Sequence, residues 1–109
     1  MAEFIKIDES NFDTLVLKQN KPILLEFGGT WCKPCKTLEP LLKQLSDEVW
    51  QDKLEIAKLD VDDCPQLTMQ FQVMSVPTTI LFIDGKPVEQ INGLQSRNRI
   101  HEKVWQHVT

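Results

Sequence analysis

Apolar positions along the chain fall into runs of two different periods, and the two kinds of run alternate. Phe4, Ile5 and Ile7 make a short strand-like opening. Ser10 as an N-cap, Asp13 in a first turn, and Phe12, Leu15 and Val16 at helical spacing predict a helix over residues 10–19, closed by Lys21-Pro22. Ile23-Leu24-Leu25-Glu26-Phe27 is apolar at odd and even positions alike, as in a central strand covered on both faces, with Glu26 the one interruption. Leu38, Leu41, Leu42, Leu45 and Val49 then share one face of a helix, and Pro40, which removes a backbone bond inside it, predicts a kink.

The second half repeats the alternation. Residues 54–61 read as a strand. Asp62, Asp63 and Cys64 before Pro65 read as a cap followed by a helix-opening proline, with Leu67 and Phe71 on the apolar side. Thr79-Ile80-Leu81-Phe82-Ile83 is a strand rich in β-branched and aromatic residues, and Asp84-Gly85 is a two-residue hairpin signal joining it to a strand through Val88 and Ile91. Ser96 caps a last helix with Ile100, Val104 and Val108 inward and His101 and His107 most simply on its surface. The order β-α-β-α-β-α-β-β-α predicts an α/β fold, parallel in its first part and antiparallel at the hairpin. With 109 residues, one domain over 1–109 has room for a single core.

Composition narrows the function classes. A net charge of −4 with no basic block argues against a nucleic-acid surface. No apolar run reaches membrane-spanning length, and residues 1–8 carry acids and no apolar segment of the kind a signal peptide needs. The expectation is a cytoplasmic protein, a setting where a cysteine pair is redox-active more often than it is a structural staple.

The candidate chemistry is Trp31-Cys32-Lys33-Pro34-Cys35, between the central strand and the long helix. Pro34 suits a first helical position, which puts Cys32 at the cap, where unpaired N–H groups and the helix dipole favour a thiolate. Cys35, one turn inside, is expected to be shielded. That asymmetry assigns attack on a disulfide to an exposed Cys32 and resolution of the mixed disulfide to Cys35. The alternatives are a metal knuckle and an inert pair. Zinc takes about four ligands, and the remaining candidates Cys64, His101 and His107 form no second pair of the required spacing. Cys64 makes the cysteine count odd and reads either as an accessible thiol activated by a helix start or as an inert small residue.

The run Trp31-Cys32-Lys33-Pro34-Cys35-Lys36 resembles the thioredoxin active site, usually Trp-Cys-Gly-Pro-Cys-Lys, and the similarity extends over essentially the whole chain. The resemblance implies the thioredoxin fold, a mixed central β-sheet flanked by helices on both faces. It implies a general dithiol reductant whose Cys32–Cys35 disulfide is the only redox group, with no bound cofactor or metal. Its partners would be a thioredoxin reductase-like electron donor and disulfide-containing proteins, met by a monomer. The same chemistry run as an oxidase or isomerase, or a non-catalytic binding subunit, is the alternative.

By the resemblance Glu26 stands where the family has an acid, most often Asp, behind the second cysteine, and relays its proton. A solvated or lysine-paired carboxylate is the alternative. Lys58 matches a lysine near that acid, or is a solvated strand lysine. Trp31, Lys33 and Pro34 flank the sulfurs on the substrate side. Pro77 matches a cis-proline facing the cysteines, Val76 the residue whose backbone pairs with substrate as an added strand, and Gly93 a glycine kept bare for the partner. Two positions depart from the pattern. Lys33 replaces a glycine between the sulfurs, and Gly28 replaces a large aromatic, from which more loop freedom is expected.

Overall fold

In the computed structural model, which describes residues 2–108, five strands form one sheet in the order β1-β3-β2-β4-β5. Met1 and Thr109, the ends of the expected 1–109 span, lie outside the described residues. The strands are β1 (Ile5–Lys6), β2 (Ile23–Gly28), β3 (Glu55–Asp60), β4 (Thr78–Ile83) and β5 (Lys86–Asn92). The pairs β1–β3 and β2–β3 are parallel, while β2–β4 and β4–β5 are antiparallel. This is the mixed sheet of the thioredoxin fold.

Every residue of β2 is buried because helices cover both of its faces. Ile23, Leu25 and Phe27 point into a core shared with Phe12, Leu67 and Phe82. Leu24 points the other way, into a core with Leu38 and Leu42 of α1 (Lys33–Leu45) and Ile100 and Val104 of α3 (Arg97–Val108). Side chains alternate along a strand, so Glu26 shares the face of Leu24 and meets α1.

The first predicted helix is shorter than its pattern. Only Asp13–Leu17 coil, in a wide π-type turn without a side-chain cap. Asp8 is the reason: its Oδ1 accepts from the Ser10 amide at 2.8 Å, the Ser10 hydroxyl at 2.6 Å and the Asn11 amide at 3.0 Å, so Ser10 is held within a turn and caps nothing. The end of the long helix also differs. Past Leu45 the chain widens to π-type winding over Ser46–Trp50, which rotates Val49 out to solvent and Trp50 fully inward. Leu41 is half-buried. Trp50 Nε1 donates to His101 Nδ1 at 3.0 Å and the two rings stack, so His101 is a packed partner and not a surface residue.

The hairpin forms as its sequence requires. Asp84 and Gly85 both have positive φ, 53° and 77°, the combination that matches the twist of a two-residue hairpin. A Cβ on Gly85 would lie 2.7 Å from the Leu17 carbonyl oxygen, so the turn also needs glycine for space. Ser96 caps α3 through its hydroxyl, which accepts from the Arg99 amide at 3.2 Å.

Candidate active site

The register puts Phe27 of β2 opposite Thr78 of β4, and Thr78 opposite Asn92 of β5. The loop after β2, the segment before β4 and the turn after β5 therefore leave the sheet at one end, where α1 begins. Three stretches far apart in sequence meet there.

Cys32 is the N-cap of α1, with extended backbone (φ −85°, ψ 107°) and its sulfur accepting the Cys35 amide at 3.2 Å. Lys33 and Pro34 are the first helical residues, so the missing N–H of Pro34 falls where helix amides are unpaired anyway. The sulfurs of Cys32 and Cys35 are bonded at 2.16 Å. The ring turns Cys32 back over the helix start, and the side chain expected to be exposed is only 3% accessible against 1% for Cys35. What distinguishes the two sulfurs is their neighbours. Cys32 sits on a backbone amide, and Cys35 backs onto a carboxyl group.

That carboxyl is Glu26, fully buried. A Cβ built on Gly28 would lie 3.1 Å from Cys35 Sγ and 3.2 Å from Glu26 Oε2, so sulfur and carboxyl converge on the space beside this glycine. Gly28 is the last residue of β2 and its carbonyl accepts the Val61 amide at 2.9 Å, so the strand extends through the position where a loop was expected. Burial pushes the Glu26 carboxyl up to about 8, with the neighbouring Glu39 carboxyl adding to the rise and Lys58 opposing it.

Lys58 is beside Glu26 in the β2–β3 register, yet its ammonium pairs with Glu39 Oε1 at 3.1 Å. Glu39 was not singled out from the sequence. The signal was there, since Glu39 follows Cys35 by four residues and so shares its face of α1. Beside this pair lies an open cavity of about 480 Å³ lined by Gly28, Gly29, Lys36, Glu39, Lys58 and Asp60.

The residues expected on the substrate side lie at this end of the sheet. Trp31 is 61% exposed and tethered by its Nε1 to Asp62 Oδ2 at 2.7 Å. Asp62, two residues past β3, was not legible as part of the site. A Cβ on Gly29 would come within 2.9 Å of the Trp31 ring, so that glycine makes room for the indole. Lys33 and Pro34 are exposed. The Val76–Pro77 peptide is cis, with Val76 half-buried and Pro77 buried. The Gly93 amide donates to the Pro77 carbonyl at 2.8 Å, and Gly93 has φ +76° with open space where a side chain would project. Met74 and Leu94 add exposed apolar surface from the same two loops.

Cys64 stands apart from all of this. It is fully buried in the opposite core, with its sulfur 4.0 Å from the Ile7 carbonyl. Burial, reinforced by Glu9, Asp63, Asp8 and Asp60, pushes its thiol up to about 11. The expectation of an accessible, activated thiol is overturned.

Comparison with known proteins identifies the family. The family model for thioredoxin matches residues 3–106. A thioredoxin of Mycobacterium tuberculosis is 47% identical over 93 residues, 85% of this chain and 79% of that one. A thioredoxin of Staphylococcus saprophyticus is 39% identical over 104 residues, 95% of this chain and 97% of that one. A bifunctional thioredoxin reductase/thioredoxin of Mycobacterium leprae is 43% identical over 93 residues, 85% of this chain and 20% of its own length.

Proposed function

This chain belongs to the thioredoxin family and is a protein thiol–disulfide oxidoreductase, and from that premise we propose how its residues divide the work. Reduced Cys32 attacks one sulfur of a substrate disulfide, forming a mixed disulfide and releasing the other substrate sulfur as a thiolate. Cys35 loses its proton to Glu26 in its carboxylate form and attacks Cys32 Sγ. The bond between Cys32 and substrate breaks, the second substrate thiolate leaves, and the Cys32–Cys35 disulfide remains. Two electrons pass from the pair to the substrate, and the departing thiolates take protons from water.

The observation that carries the assignment is the helix start itself. The Cys35 amide already points at Cys32 Sγ, so the charge of a Cys32 thiolate is met by a donor that need not move. Trp31, Lys33 and Pro34 on one side, and Val76, Pro77 and Gly93 on the other, form the docking rim. An extended substrate strand would pair with the Val76 backbone, and bare Gly93 would leave room for it. Lys58 acts from behind, through the charge it presents to Glu26.

We place the protein in the cytoplasm as a monomer and a single domain over residues 1–109, working without bound cofactor or metal. A reductase of the thioredoxin reductase class recharges it, a role supported by the fusion of those two activities in the Mycobacterium leprae relative. No described helix is long and apolar enough to cross a membrane.

Substitution of the cysteines tests the roles with the largest effect. Cys35→Ser is expected to accumulate mixed disulfides with protein substrates and to lose turnover by more than about 100-fold. Cys32→Ser is expected to lose turnover without trapping anything. Equal trapping by both variants would reverse or erase the assignment. A Cys32→Ser/Cys35→Ser protein that kept its biological function would make the fold a binding subunit instead.

A further inference from the structure

Two carboxylates and one ammonium meet behind Cys35, and the ammonium can neutralise only one of them closely. By backbone register the natural partner of Lys58 is Glu26, its direct neighbour across the β2–β3 pair, on the same face of the sheet. The side chain goes elsewhere. Lys58 Nζ lies 3.1 Å from Glu39 Oε1, and 5.3 Å from the centroid of the Phe4 ring, a second attraction. Neither oxygen of fully buried Glu26 has a hydrogen-bond partner among the described residues.

We propose that Glu39 is a positioning residue: by holding the Lys58 ammonium on its own carboxylate, it keeps a proton on Glu26 at the back of Cys35.

The groups around Glu26 make this an alternative between two pairings. From α1 come Cys35 and Glu39, from β3 Lys58, and from β4 only Thr79, which is uncharged. Farther out, Lys6, Asp8, Lys36, Asp60 and Asp63 line the open cavity with Glu39 and Lys58. The outer pair is thus partly hydrated, its side chains 37% and 26% exposed for Lys58 and Glu39. Glu26 is left as the dry acid without an ion pair among the described residues, for which the neutral form is favoured. Within the proposed reaction, a protonated Glu26 cannot take the Cys35 proton until it has released its own. Glu39 therefore sets the pH at which resolution becomes fast. This consequence rests on the relay reading of Glu26, whereas the hold on the proton does not.

The experiment follows the Glu26 carboxyl directly, by carbon NMR titration of the oxidised full-length protein. Glu39→Gln keeps the size of the side chain and removes its charge. The Glu26 midpoint is expected to fall by about one pH unit or more, as direct repulsion vanishes and Lys58 turns inward. The same Glu39→Gln change in a Lys58→Met background is expected to move it clearly less, because no ammonium remains to be released. An unmoved midpoint in Glu39→Gln, or an equal fall with and without Lys58, would overturn the proposal. The single-turnover rate of mixed-disulfide resolution is then measured against pH in the same variants. If Glu26 is the relay, resolution at pH 7 rises in Glu39→Gln, by at most about tenfold. A shifted Glu26 midpoint with an unmoved rate profile would keep Glu39's hold on the proton and remove Glu26 from the reaction.

Discussion

Two helices of this protein begin on a cysteine with a proline just behind it, and the two sulfurs have opposite fates. Cys32 holds the N-cap position of α1 and Cys64 that of α2 (Pro65–Gln70). By local sequence alone both qualify as thiols activated by a helix start. At α1 the first turn holds no acid and the sulfur itself takes the Cys35 amide. At α2 the position is already filled. Glu9, from far up the chain, puts its Oε2 on the amides of Gln66 at 2.7 Å and Leu67 at 3.0 Å, and Cys64 makes no cap bond. The donors that would stabilise a thiolate are spent on a carboxylate, whose charge then opposes ionisation of the sulfur next to it. A helix start activates a cysteine only where its amides are still free to meet the sulfur.

The largest effect on stability comes from Glu26, the acid beside the α1 site. Its folded value, about 8, lies above the ordinary carboxylate value of 4.5. Between those pH values the folded protein holds a proton that the unfolded chain has released. The stabilisation is therefore full below the lower value, falls as pH rises through the window, and is lost above the higher one. The decline is on the order of 5 kcal/mol across the window. Glu26→Leu is expected to flatten it and to be the more stable protein at pH 8, read by denaturant melts of the oxidised forms at pH 4 and pH 8. A wild-type slope that survives the substitution would remove the buried-acid argument.

A smaller change should make the α2 start resemble the α1 start. Glu9→Ala withdraws the cap from two amides and a negative charge from beside Cys64. It is expected to cost about 1 kcal/mol of stability and to speed labelling of Cys64 by a thiol reagent severalfold. In the wild-type oxidised protein that thiol should stay unlabelled until denaturant is added. Fast labelling of the native wild-type protein would contradict the burial on which the contrast rests.

The smallest effect belongs to Lys33, the charge between the two active sulfurs. An exposed ammonium near a thiolate contributes roughly 1 kcal/mol at most, so Lys33→Gln should lower the reduction potential by no more than about 25 mV. The shift should shrink in high salt, which screens an exposed charge. A salt-independent change, or one that makes the pair more oxidising, would assign the effect to the ring backbone.

Several features of this protein follow from residues a few positions apart, and these were legible in the chain as written. The buried run of residues 23–27 is a central strand because both of its parities are apolar. Asp84-Gly85 is a hairpin turn because its backbone demands positive φ. Cys32 is a cap because Pro34 follows, and the same short motif identifies the cysteine pair as the seat of the chemistry. The rest depended on partners distant in sequence. Whether Cys64 would react was decided by Glu9 and by the core over it, whether Val49 or Trp50 turned inward by a change of helical winding at Ser46, and whether Ser10 could cap by Asp8. Most of all, the state of Glu26 depends on where Lys58 points, and that is set by Glu39 on another element. Backbone preference acts over a turn or a strand and can be read from the order of residues. Burial and charge act through space, so the pairing of one ammonium with one of two carboxylates exists only once the sheet and α1 have been brought together.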